Sequence, residues 1–122
     1  MKEKLVSFEI AKLLKTKGFN ELCSYYYNIN DNNKLRRNFN EIDFNDEHYN
    51  ESCISAPTQS LVQKWLRDKH NIIVNVNYDF AYTHNWGCEI WKNDILDNNK
   101  GIRDSYEDAL EYGLDCALSN LI

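Results

Sequence analysis

Residues 55–77, SAPTQSLVQKWLRDKHNIIVNVN, decide the fold. Pro57 suits a first helical turn, and Thr58 is an alternative N-cap. Leu61, Val62, Trp65 and Leu66 then recur on one helical face, with Lys64, Arg67 and Asp68 elsewhere, so a helix is expected from 57 or 58 to Lys69. After it, Ile72, Val74, Val76, Tyr78 and Phe80 alternate with Ile73, Asn75, Asn77 and Asp79. That period of two marks a strand with one apolar face. A helix running straight into an alternating strand specifies a mixed α+β chain.

Downstream, residues 86–91 read as an antiparallel partner strand, joined through Thr83, His84 and Asn85. Residues 94–101 read as a loop. A last helix is expected over 106–121, with Ser105 as N-cap and Asp108 at the capping-box position. Tyr106, Leu110, Leu114, Ala117, Leu118 and Leu121 line one face of it, and Ala109 and Gly113 allow close packing on a sheet. Glu107, Glu111 and Asp115 form an acidic row on another face, costly by a few tenths of a kcal/mol per pair in water.

Upstream, Ser7 and Gly18 bracket a helix with Ile10, Ala11, Leu13 and Leu14 as its stripe. CSYYYNI, residues 23–29, reads as a strand, Asn30–Asn33 as a turn, and residues 34–39 as a polar return strand. Residues 40–55 show no periodicity and read as a long acidic loop pinned by Phe44 and Tyr49. The element order is α-β-β-α-β-β-α. The simplest arrangement is a small antiparallel sheet of two hairpins, with three helices mainly on one face. At 122 residues a single domain, 1–122, is expected.

The net charge of −5 is unevenly spread. Through Arg37 there are eight Lys/Arg against four Asp/Glu; residues 38–56 hold five acids and no Lys/Arg; residues 79–122 hold nine acids against three bases. An acidic chain of this kind disfavours general nucleic-acid binding. The N-terminal stretch lacks a continuous apolar core and no segment approaches membrane-spanning length, so a cytoplasmic protein without membrane contact is expected. Asn is unusually frequent, 17 of 122 residues. Its scatter among charges speaks for a genome rich in A and T rather than an aggregating tract.

No catalytic or metal signature is legible. Cys23, Cys53, Cys88 and Cys116 are too far apart for a zinc framework. The Asp-rich turns miss calcium-loop spacing, and glycine-rich phosphate loops and nucleophile elbows are absent. No cofactor and no metal are therefore expected. His84 and Cys88 are a nominal thiol–imidazole pair, but four residues apart around a turn they have no assured contact. The candidate binding residues are aromatic and acidic. Three consecutive tyrosines, Tyr25, Tyr26 and Tyr27, cannot all face a core. Trp86 and Trp91 have opposite parity in a strand. Glu107, Glu111 and Asp115 would suit a basic partner. Arg36, Arg37, Lys64, Arg67 and Lys69 are the opposing basic clusters.

The segments LVSFEIAKLLKTKGF, CSYYY, SAPTQSLVQKWLRDKHNIIVNVN and SYEDALEYGLDCAL together resemble a group of small uncharacterised proteins of phages and prophages of gut Bacteroidetes. The resemblance covers most of the chain, implies no known activity, and marks the acidic stretch at 40–52 as an elaborated loop. The expected function is a non-enzymatic accessory protein that binds another macromolecule, first of all a protein such as a host factor or virion component. The alternative is a nucleic-acid-binding module using the aromatic and Arg/Lys clusters. The third is an enzyme, cysteine-dependent through Cys88 or using the acidic loop.

Overall fold

A computed structural model describes residues 3–97 and 102–122. Its helices are α1 (Phe8–Thr16), α2 (Gln59–His70) and α3 (Tyr106–Asn120). Its strands are β1 (Cys23–Asn28), β2 (Lys34–Ile42), β3 (Cys53–Ser55), β4 (Ile72–Tyr78), β5 (Trp86–Lys92) and β6 (Ile95–Asp97). The main order is the expected α-β-β-α-β-β-α. The two hairpins lie in separate antiparallel sheets, ordered β2-β1-β3 and β4-β5-β6. Each hairpin gains one short strand that lacked a readable period. The chain resolves into two compact units, Leu5–Thr58 and Gln59–Ile122, the latter joined by the residues before Leu5.

In the Leu5–Thr58 unit, Ser7 caps α1 by accepting from the Ile10 amide at 3.2 Å. Gly18 ends the helix at φ +86°. The Phe19 amide donates to Leu14 O at 3.0 Å and the Gly18 amide to Lys15 O at 3.3 Å, the paired bonds of a Schellman motif. Phe19 and Leu14, which flank that motif, are both buried. Pro57 is not in α2: it precedes the helix, and its carbonyl accepts from the Val6 amide at 3.0 Å.

The acidic loop is shorter than expected, because β2 extends to Ile42 and β3 takes Cys53–Ser55. Its pins are real. Phe44 is 1 % exposed, stacks on Tyr26 at 4.7 Å and meets Tyr49 edge-on at 5.4 Å. Ser55, also fully buried, accepts from the Phe44 amide at 3.1 Å and donates its own amide to Asn45 Oδ1 at 3.0 Å.

In the other unit, Val74 pairs with Ile90 and Val76 with Cys88 across β4 and β5. Their shared face is covered by α3 and α2. A Cβ on Gly113 would lie 2.7 Å from Val74 Cγ1 and 3.4 Å from Cys88 Sγ, so α3 rests on the sheet at its smallest residue. The Gln63 amide group of α2 donates to Val74 O at 2.6 Å. Residues 94–101 are not wholly loop. Asn93 and Asp94, both at positive φ, form a two-residue turn between Lys92 and Ile95, and 98–101 lie outside the described residues.

Candidate functional site

β4 ends at Tyr78, two residues before the expected Phe80. Asp79 causes the stop. Its carboxylate accepts from the amides of Ala81, Tyr82 and Thr83 at 3.1, 3.2 and 3.1 Å, and from the Thr83 hydroxyl at 3.0 Å. Its backbone closes the loop: the Asp79 amide donates to Asn85 O at 2.8 Å, and the His84 amide to Asp79 O at 2.9 Å. A short acid that accepts from its own following amides favours a turn over a continuing strand. The donated N–H bonds, first those of Thr83 and Tyr82, hold the Asp79 carboxyl below the usual carboxylate range.

The latched loop holds its apolar side chains out. Phe80 is 79 % and Tyr82 88 % exposed. Behind them runs a ladder of edge-on rings: Phe80 on Tyr78 at 4.7 Å, Tyr78 on Trp86 at 5.0 Å, and Trp86 on Tyr106 at 5.6 Å. Edge-to-face contacts at such spacings are favourable and directional. Ile102, about half exposed, borders the same site. Between loop and ladder lies a groove of about 310 Å³ whose lining includes Tyr78, Asp79, Thr83, Trp86, Glu89 and Ile102.

Of the residues singled out by sequence, Trp86 lines this groove, and so does the buried Cys88. Trp91 is paired with Ile73 and Leu96 in the β4-β5-β6 sheet; like Trp86 it is half-buried. Glu107 begins α3 beside Tyr106 and is exposed. The acidic row is not uniform: Glu111 accepts from the buried Gln59 amide group at 3.0 Å, and Asp115 accepts from the Ser119 hydroxyl at 3.1 Å. The three tyrosines belong to the Leu5–Thr58 unit, on its central strand. Tyr25 lies under the Arg37 guanidinium, 5.9 Å from the ring centroid. Tyr26 is packed on Phe44. Tyr27 meets Phe8 edge-on and donates its hydroxyl to Val6 O at 2.6 Å.

The sequence reading places Phe80 in the strand and gives Tyr82 no role. The one sequence signal for them is Asp79 with Thr83 four residues on.

Of the basic residues singled out, Arg36 pairs with Asp31, Lys64 with Asp68 at 2.9 Å and Arg67 with Asp68 at 3.9 Å. Cys88 is 1 % exposed and sits beneath Gly113, whereas His84 is exposed on the loop. Burial, with Asp43 and Glu41 nearby, pushes the Cys23 thiol up to about 12. A thiol so placed is a poor nucleophile. Among the described residues no cluster of His, Cys, Asp or Glu is arranged to hold a metal ion, and no helix is long and apolar enough to cross a membrane. No family model, no curated protein and no solved structure matches the chain.

Proposed function

We propose that the protein is a non-enzymatic binding module whose partner is another protein, and that the latched loop at 79–85 with its aromatic ladder is the contact surface. One observation carries this: two aromatic side chains stand in solvent on a loop already fixed by its own carboxylate. Aromatic anchors dominate the energetics of protein interfaces. A loop ordered before binding loses less conformational entropy on association than a free one. The ring ladder behind the loop supplies a firm apolar floor. On this reading the protein is an accessory protein of phage type, with a host factor or a virion component as its partner.

The nucleic-acid alternative draws less support, because three cations of the clusters on which it rests, Arg36, Lys64 and Arg67, lie against Asp31 and Asp68. A cysteine-dependent reaction draws little, because Cys88 fills the contact between α3 and the sheet.

The test is a tagged pull-down from host or infected-cell lysate, with and without nuclease. It is run in parallel with wild type, the Phe80→Ala/Tyr82→Ala double variant and Trp91→Ala. A stoichiometric protein that survives nuclease and is lost only with the loop variant is the expected result. Truncating two hot-spot rings lowers affinity by about thirtyfold or more. Retention of the partner by the loop variant, or loss of every partner on nuclease treatment, overturns the proposal.

A further inference from the structure

We infer that the segment of the partner protein seated on the aromatic surface is a basic one, whose arginine side chains stack on the exposed rings and meet the carboxylates beside them. This inference rests on the contact surface proposed above and names what that surface selects.

Two grooves meet at the ring ladder. The groove of about 310 Å³ beside the latched loop has Tyr78, Asp79, Trp86 and Glu89 in its lining. A second groove, of about 410 Å³, lies beside the first turns of α2 and α3, and its lining includes Glu3, Gln63, Tyr106 and Glu107. Trp86 of the first meets Tyr106 of the second edge-on at 5.6 Å. Tyr106 is 40 % exposed, so one bound segment can reach from the loop to the helices across open rings.

Charge selects the occupant. Residues 78–91 and 104–122 supply the ladder, the latched loop and α3, and they contain seven Asp/Glu, one histidine and no Lys or Arg. The cations that border them are engaged: Lys4 lies 3.5 Å from Asp108, the Arg103 guanidinium lies 4.4 Å from the Tyr112 ring centroid, and Lys92 donates to Leu121 O at 2.5 Å. Asp79 spends its acceptor positions on its own loop, so it adds charge but no hydrogen bond. Glu89 and Glu107 differ. Among the described residues neither carboxylate has a hydrogen bond or ion pair. An acidic segment would be repelled here, and a neutral one would cover the half-buried Glu89 without matching its charge. A guanidinium answers both features of the surface. It is planar and weakly hydrated, stacks on aromatic faces, and donates to carboxylates. Arg103 on Tyr112 of α3 makes the ring contact within the chain itself.

NMR titration of the full chain at low salt tests the inference with three peptides. These are acetyl-Arg-Leu-Gly-Arg-Phe-Gly-Arg-amide and its counterparts with Gln or Glu at each Arg. At millimolar concentration the Arg peptide is expected to shift the Trp86 indole and the amides of the 79–85 loop. The Gln peptide binds roughly fivefold more weakly and the Glu peptide not at all. Glu89→Gln/Glu107→Gln, isosteric at both sites and verified as folded by circular dichroism, weakens the Arg peptide by roughly fivefold to tenfold. Phe80→Ala/Tyr82→Ala abolishes the shifts. Equal binding of the Arg and Gln peptides, lost in the loop variant, overturns this inference and leaves the aromatic contact surface standing. Absence of any shift with the Arg peptide, or binding indifferent to Glu89→Gln/Glu107→Gln, also overturns it. Arg-peptide shifts confined to α3 that survive the loop variant overturn the contact surface as well.

Discussion

Asp79 shows how one side chain sets both a strand end and a surface. Its carboxyl is depressed because backbone amides donate to the ionised form. A group whose folded pKa lies below its unfolded value of about 3.9 stabilises the fold above that value, and the contribution disappears as pH falls through the folded pKa. The amide resonances of Ala81, Tyr82 and Thr83 are therefore expected to hold steady from neutrality to about pH 5. They should move together only below about pH 4. In Asp79→Asn the Oδ2 acceptor of the Thr83 amide and hydroxyl is lost while an oxygen for the Ala81 and Tyr82 amides is kept, so the Thr83 amide resonance should sit in the shifted position at every pH. An NMR titration decides it; movement centred at or above the ordinary carboxylate value would mean that the latch does not form. Asparagine has a related role. Of the six non-glycine residues at positive φ among the described residues, four are Asn32, Asn33, Asn71 and Asn93. Asn tolerates the left-handed region better than other side chains. In a chain with four glycines, part of the asparagine excess thus has a structural use beyond genome composition.

At the scale of elements, the contact between α3 and its sheet is set by Gly113. An alanine there raises helix propensity by about 1 kcal/mol. Its methyl, however, would lie 2.7 Å from Val74 Cγ1, and Val74 is buried with its β-branched side chain fixed. Overpacking of a closed core costs about 1–3 kcal/mol. Gly113→Ala should therefore lower stability on balance, by about 1 kcal/mol, seen as a lower urea midpoint with unchanged m-value. A raised midpoint would show that helix and sheet can slide apart there.

The sequence pattern already pointed to close packing by Ala109 and Gly113, and to both caps, Ser7 and Ser105. These features are written in adjacent residues, which is why they are legible. The short strands are not. β3 has only Cys53–Ser55, all buried, and so has no alternation to read. β6 follows an Asn-Asp turn rather than the stronger Asn-Gly signal. β2 loses its period of two where a bulge opposite Ser24 inserts extra residues. The Phe80–Tyr82 surface was hidden for a similar reason: the apolar alternation of β4 continues in sequence through Phe80, while the Asp79 hydrogen bonds end the strand in space.

For the molecule as a whole, net charge and its placement bear on the choice between protein and nucleic acid. The formal charge is −5, and the basic surplus falls before Arg37 and between 57 and 78. The cations there are engaged locally: Arg36 with Asp31, Lys64 with Asp68, Lys12 with Glu9 at 3.2 Å, and Arg37 over Tyr25. Surface pairs of this kind add little stability, yet they cancel much of the potential that a phosphate backbone would feel. Binding to nucleic acid draws on counterion release, and a protein neutralising six to ten phosphates loses about 10³–10⁵ in affinity between 50 and 200 mM salt. Fluorescence anisotropy of labelled single-stranded and duplex oligonucleotides should accordingly stay flat at about 50 mM salt, with protein raised to about 100 μM, the weak end of non-specific binding. A rise at low salt that collapses by 200 mM would transfer the aromatic surface to the nucleic-acid reading, with Phe80, Tyr82 and Trp86 as base-stacking rings. A rise that ignores salt would instead point to stacking without phosphate contacts.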